Sequence, residues 1–217
     1  HLPHILNEQG NKKLGKRDGA KDVLDYLRDG YLPETMMSFI ATMGWNDGTE
    51  QEVFTKDELI EKFSLDRVQR SGARFDEKRL LWMNGQFIRE LSIEDLENRV
   101  RDFWPASAAN ADEEYKRQIL TLAQDRLKTL TDLPTLTDYF FADPTPDWSM
   151  IDDNKQLKKL DRSRQTELLQ TTYTALESSD FTPDALQATL NTLLETTGEK
   201  PGTLFSLIRF AINGWCL

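Results

Sequence analysis

Within NKKLGKRDGA, residues 11–20, four cations crowd around one glycine: Lys12, Lys13, Lys16 and Arg17 beside Gly15. The 217-residue chain that holds them carries a formal net charge of −10. Lys13 and Lys16 stand three apart across the glycine, a spacing that lets a flexible loop bring both ammonium groups to one phosphate chain. Lysine is a compact, strongly hydrated point charge on a flexible stem, suited to phosphate oxygens that shift during reaction. A solvated turn whose cations only maintain solubility has the same composition, since charge runs are commonly exposed faces. The loop by itself leaves both readings open. Positive charge also gathers at Arg67–Arg79 and at Asn154–Arg164, whereas negative charge is spread along the chain. That asymmetry fits phosphate contacts on one side of an acidic body.

Other chemistries are excluded by what the chain lacks. Two histidines and one cysteine, Cys216, provide neither a zinc cluster nor an intramolecular disulfide. No apolar run approaches the ~20 residues of a membrane span, so no membrane contact is expected. The length suits one large domain or two smaller ones. The chain opens on His1 with no Met and no signal-peptide pattern, so a portion of a longer protein is expected.

The elements that must position these cations read as helices. A short strand-like HLPHIL leads into the turn NEQGN and then the basic loop. From about Gly19 the pattern turns helical, with Val23, Leu24 and Leu27 on one face and Gly30 as the stop. Pro33 starts a second helix carrying Met36, Met37, Ile40 and Met43. Thr55 and Glu58 have capping-box spacing. A further helix runs through DEKRLLWMNGQFI, with Asn84-Gly85 as its weak point, and Ser92 opens the next. Past PASAANA, the expected boundary, stripes recur: Ile119, Leu122, Ala123, Leu127 and Leu130; then Leu169, Tyr173 and Leu176. The last clear helix has Thr182 as N-cap, Pro183 at its first position and Gly198 beyond its end, with Leu186, Leu190, Leu193 and Leu194 inward. The fold class is mainly α, ending in a helical bundle.

Three stretches, KKLGKRDGA, GYLPETMMSFIATMGW and FSLDRVQRSGARFDEKRLLWMNGQFIREL, occur in an order and at a spacing that resemble the bacterial glutamyl-tRNA synthetases, a class I aminoacyl-tRNA synthetase family. The resemblance covers essentially the whole chain and is most specific at Ser71–Leu91. It implies that Lys13, Leu14, Gly15, Lys16 and Arg17 form the KMSKS-type loop that closes over ATP, with Lys16 as the phosphate ligand. ATP would act with magnesium in the complete enzyme, and none is expected on this portion. The family's usual serine is here Gly15, which gives up a hydroxyl and adds backbone freedom. Neither a HIGH-type signature nor a βαβ series is present, so the Rossmann-type catalytic domain is expected before His1 and this portion is expected to be inactive alone.

The resemblance further implies a loop and stem-contact region over residues 1–103 and a helical anticodon-binding domain over 104–217, incomplete at its C-terminal end. In the first, Arg67, Arg70, Arg74 and Lys78 are candidates for contact with the tRNA backbone, against the alternative that they pair with Asp66, Asp76 and Glu77. Such contacts position RNA without reading sequence. Trp45, Phe75 and Trp82 are expected in the core. In the second, Arg209, ahead of an A-L-T-G-like run, is the candidate anticodon reader, and Arg126 a second. A guanidinium can fork onto a base edge or stack on its face. The implied partner is tRNA(Glu), the implied state a monomer, the implied location the cytoplasm. A rival without nucleic acid is an all-helical protein-interaction module. Clustered cations favour RNA; cations dispersed among carboxylates favour the rival.

Overall fold

The computed structural model describes residues 4–18, 21–145 and 147–214. The first three residues of the expected strand, Gly19 and Cys216 lie outside them. The chain divides into two compact units, residues 1–138 and 139–217. Among the described residues no strand forms. The extended pairing seen among them is at Leu6, which bridges antiparallel to Lys13 and parallel to Arg74.

In the first unit the helices begin where side chains satisfy orphan N–H groups. α1 (Val23–Arg28) is opened by a capping box between Asp22 and Asp25, and α2 (Pro33–Thr42) by proline at its first position. Thr55 and Glu58 form the expected box on α3 (Lys56–Lys62), with Thr55 N donating to Glu58 at 2.7 Å. α4 (Glu77–Glu90) starts at Asp76 and α5 (Ile93–Arg99) at Ser92. α6 (Glu113–Ala123) and the short α7 (Leu133–Thr137) complete the unit. Phe39, Leu80 and Met83 are fully buried in one core cluster; Leu32, Ile88, Leu96, Leu120, Leu127 and Leu133 make another.

Asn84, read as a weak point of α4, joins these clusters instead. The helix runs unbroken past it, and its side chain is fully buried with all four hydrogen-bonding positions used. Its Oδ1 accepts from Leu32 N at 2.9 Å and Thr35 Oγ1 at 2.8 Å. Its Nδ2 donates to Lys128 O at 2.6 Å and Gly30 O at 3.3 Å. A buried amide is stable only when so paired.

Three other expectations fail in this unit. Val23, Leu24 and Leu27 are exposed, because the six-residue α1 turns Tyr26 inward instead, against Tyr31 and Phe75. Met37 and Ile40 of α2 and Leu122 of α6 are also exposed, at the edges of stripes whose centres are Met36, Phe39, Ile119 and Ala123. Trp82 is 45% exposed, although Trp45 and Phe75 are buried as expected.

The second unit holds α8 (Ser149–Asp153), α9 (Arg162–Glu177), α10 (Pro183–Thr197) and α11 (Pro201–Asn213). α9 packs against both α10 and α11. Thr182 caps α10 through Ala185 N, and Gly198 ends it at φ +68°, where glycine avoids the Cβ clash. Ile151, Leu157, Leu168, Leu193, Leu204, Leu207 and Phe210 form the core. Tyr173 is exposed and its hydroxyl turns to Glu177 at 3.2 Å.

Candidate nucleic-acid interface

The basic loop is built on a turn that Asn7 organises. Asn7 is buried, donates to Gln9 and Asn11 side chains at 2.8 and 3.0 Å, and accepts from Asn11 N. Backbone bonds from Asn7 N to Lys12 O (3.0 Å) and from Leu14 N to Ile5 O (2.8 Å) close residues 5–14 into a hairpin-like arch. Leu14 then packs on the cluster of Tyr26, Phe39 and Phe75. This apolar anchor fixes the root of the loop, and a short 3₁₀ turn, Lys16–Asp18, follows it. Lys13, Lys16 and Arg17 are exposed and form no ion pair among the described residues. Gly15 does not adopt a positive φ. No left-handed backbone therefore stands against a serine there, and the substitution costs the loop a hydroxyl.

The opposite edge of Leu6 carries the second basic stretch. Leu6 N donates to Ala73 O at 2.8 Å and Phe75 N to Leu6 O at 2.9 Å. Gly72 permits this approach, since a Cβ there would sit 2.7 Å from His4 O. Phe75 points into the core against Phe39 at 5.1 Å, which leaves its neighbour Arg74 exposed and lying across Gly10. The structure thus joins two runs that are about sixty residues apart in sequence, at a single residue, Leu6.

The local-pairing alternative for these cations does not occur. Arg70, Arg74 and Lys78 are exposed, and none pairs with Asp66, Asp76 or Glu77. Asp76 instead caps α4 through Arg79 N at 3.0 Å. Arg67 donates to the Asp47 carbonyl but has no carboxylate partner among the described residues. Arg79 leaves the group: it pairs with Glu52 at 3.5 Å and lies over Phe39.

Two residues of this surface were not found by sequence reading. Trp82 stands one turn beyond Lys78 on α4, half-exposed. Arg89 follows two turns later and reaches the Asp125 carbonyl at 3.4 Å, which sets it beside Arg126 in the short turn Gln124–Arg126. At 100° per residue, Lys78, Trp82 and Arg89 share one stripe of α4. Arg126 is exposed without an ion pair among the described residues. Lys78 and Arg89 thus flank a half-exposed tryptophan, a composition chemically able to stack an unpaired base.

Three cations of the first unit are neutralised instead. Arg99 is held by Glu34 at 2.8 and 3.0 Å and by Asp95 at 3.1 Å. The hydrogen bond to Arg99 holds the Glu34 carboxyl below its usual range, and the same bond raises the arginine. Arg117 lies between Glu94 and Glu97, and Lys116 pairs with Glu113.

In the second unit, Arg209 is exposed on α11 and forms no ion pair among the described residues. The Asn154–Arg164 stretch divides. Lys155, Lys158 and Lys159 are exposed and without ion pairs among the described residues, whereas Arg162 pairs with Asp152 at 2.9 Å and Arg164 with Glu167 and Glu199. Among the described residues no group of acidic, histidine or cysteine side chains is arranged to hold a metal ion, and no helix is long and apolar enough to cross a membrane.

Comparison with known proteins adds the following. A family model described as tRNA synthetases class I (E and Q), catalytic domain, matches residues 1–82, and one described as anticodon binding domain matches residues 95–215. The chain is 37% identical over 221 residues to a glutamate–tRNA ligase of Chloroflexus aurantiacus and 38% identical over 222 residues to one of Roseiflexus castenholzii. Each alignment covers 99% of this chain but only 44% and 43% of those relatives, so the chain spans less than half their length. A crystal structure of a glutamate tRNA ligase from Elizabethkingia meningosepticum, in complex with its amino acid, has a similar fold with TM-score 0.76. The match covers 99% of this chain and 45% of that one at 24% identity.

Proposed function

The chain belongs to the glutamyl-tRNA synthetase family of class I synthetases, and from that premise we propose that it is the tRNA-gripping portion of a glutamate–tRNA ligase. In the complete enzyme ATP and glutamate would give glutamyl-adenylate, and the acyl group would pass to the terminal ribose of tRNA(Glu). Residues 1–103 would supply the mobile phosphate loop and the stem contact, and residues 104–217 the anticodon contact. The observation that carries this reading is the sorting of charge. The cations assigned to phosphate, Lys13, Lys16, Arg17, Arg70, Arg74 and Lys78, lack carboxylate partners among the described residues of a protein with net charge −10. Free cations on two segments that meet at Leu6 favour a polyanion over a protein partner.

Each residue takes a role its surroundings permit. Lys16 is the ATP-phosphate ligand: a free ammonium in a loop rooted by Leu14 can follow charge that develops on the phosphates. The described residues offer no carboxylate cluster for magnesium, so any metal would be held by phosphates and the rest of the enzyme. Arg67, Arg70, Arg74 and Lys78 hold the RNA backbone, with Trp82 and Arg89 extending that surface. Arg209 and Arg126 contact the anticodon. The protein works as a cytoplasmic monomer.

A titration of tRNA(Glu) onto this chain at two salt concentrations tests the reading. Binding that weakens steeply with salt supports it, because phosphate contacts release counterions. Salt-independent binding, or none in low salt, overturns it. ATP–pyrophosphate exchange with glutamate on this chain alone is expected at background.

A further inference from the structure

Asn7 is 4% exposed although its neighbours Glu8, Gln9 and Asn11 all lie on the surface. Its Nδ2 donates to Gln9 Oε1 at 2.8 Å and to Asn11 Oδ1 at 3.0 Å, and its Oδ1 accepts from Asn11 N at 3.2 Å. Its backbone takes part as well: Asn7 N donates to Lys12 O at 3.0 Å, and Asn7 O accepts from Gly10 N at 2.9 Å. These five bonds of one residue close the turn over residues 7–12. The side-chain partners all lie within four residues. Buried Ser38 and Asn84, by contrast, serve Phe54, Leu32 and Thr35 at separations of 16 to 52 residues. The bonds of Asn7 therefore shape one arch and tie no helix to another.

That arch ends where the basic loop begins. Lys12 O is its last bonded group, Lys13 pairs with Leu6, and Leu14 N donates to Ile5 O before its side chain joins the cluster of Tyr26, Phe39 and Phe75. Lys16 stands two residues beyond that anchor. We infer that Asn7 is a positioning residue for the phosphate loop: it fixes where Lys13 and Lys16 begin their reach and acts on the reaction through them, without touching ATP. The chemistry of the side chain supports this. An amide gives the turn two donors and an acceptor and carries no charge, whereas a carboxylate could only accept and would set a negative charge at the foot of a loop that is to meet phosphate. Gln9 and Asn11, which complete the cluster, are amides too. Glu8, the carboxylate of this turn, is exposed and makes none of these bonds. Misplacing a reacting group by about 1 Å can cost on the order of 10²-fold in rate, so the starting point of the loop matters to catalysis. The inference rests on the reading of Lys16 as the ATP-phosphate ligand and adds the residue that aims it.

Two measurements test it. In this chain the backbone amides of residues 7 and 14 report the arch, because both donate across it. Asn7→Ala should speed their hydrogen exchange about tenfold, through loss of the bonds that close a local turn, while amides inside α4 keep their protection. In the complete enzyme, Asn7→Ala should lower kcat for adenylate formation by roughly 10- to 100-fold, with the KM for ATP and the affinity for tRNA(Glu) little changed. Added to Lys16→Ala it should cost no more than about twofold further, since a residue that works through Lys16 then has nothing left to aim. Asn7→Ser, which still offers a hydroxyl to Asn11 N, should fall between wild type and Asn7→Ala in both measurements. Unchanged exchange at residues 7 and 14, or an unchanged kcat, overturns the inference and leaves the role of Lys16 intact. Full multiplication of the Asn7 and Lys16 effects also overturns it, as does a loss of protection that extends into α4, since either marks a general loss of structure. If Lys16→Ala itself leaves adenylate formation intact, the reading of the loop falls and the role of Asn7 falls with it.

Discussion

Replacing Arg70, Arg74 and Lys78 together by alanine separates contact with phosphate from every other use of those side chains. All three are exposed and lack ion-pair partners among the described residues, so their removal breaks no internal pair and should leave folding unchanged. Each phosphate contact contributes about 0.7–0.9 to the slope of log affinity against log salt. Three lost contacts should flatten that slope by roughly 2–2.7. Between 50 and 200 mM salt, a fourfold change, the wild-type affinity should then fall roughly 20- to 40-fold more than that of the variant. Arg99→Ala is the matched control. That guanidinium is already neutralised by Glu34 and Asp95, so its loss should lower stability on the order of 1 kcal/mol and leave the salt slope alone. Anisotropy of labelled tRNA(Glu) over a salt series, with thermal melts alongside, reads both quantities. An unchanged slope in the triple variant, or an equal change in Arg99→Ala, would show that free cations near Leu6 do not meet phosphate.

Three further outcomes follow from the geometry. In the complete enzyme, Lys16→Ala should slow adenylate formation about 10²–10³-fold while changing tRNA affinity little, and Lys12→Ala should do much less; equal effects would reduce the loop to a diffuse positive patch. Arg209→Ala in the complete enzyme should narrow the gap between tRNA(Glu) and an anticodon-swapped variant by about 1–3 kcal/mol, whereas Arg67→Ala should weaken both alike, and an unchanged gap would make Arg209 a plain surface residue. Asn84→Ala should destabilise this chain by at least about 2 kcal/mol in denaturant melts, because Leu32 N, Gly30 O and Lys128 O lose their partner, and a loss under 0.5 kcal/mol would mean that water replaces the amide.

What was legible in the sequence was what three or four consecutive residues decide. The capping box of Thr55 and Glu58, the Ser92 cap, and the Thr182–Pro183 start with its Gly198 stop all depend on bonds within one turn. The helical class was an equally local matter. What escaped depends on partners far along the chain. Asn84 read as a flaw in α4 because its partners, Gly30, Leu32, Thr35 and Lys128, lie 44 to 54 residues away. The same distance problem hid the fate of individual cations. Arg79 and Arg74 look alike in a basic run, yet Glu52 neutralises one while the other lies across Gly10 with no ion pair among the described residues. Trp82 fits an apolar pattern with Leu81 and Met83, but only the packing of α2 on α4 decides which side of the helix is covered.

On the proposed reading, that sorting bears on how an acidic protein can hold a polyanion at all. A net charge of −10 repels RNA, but at physiological salt the repulsion is screened beyond about 8 Å. Affinity is then decided within contact range, where the identity of the nearest charges matters more than their sum. The fold meets that condition by pairing. Arg99, Arg117, Lys116 and Arg164 are matched with carboxylates and so contribute structure. Lys13, Lys16, Arg17, Arg70, Arg74 and Lys78 are left unmatched on segments that the Leu6 bridges draw together. Extra carboxylates on the distant faces would therefore change binding little at physiological salt. One carboxylate introduced beside Arg74 would remove a contact and should flatten the salt slope by nearly as much as deleting the arginine.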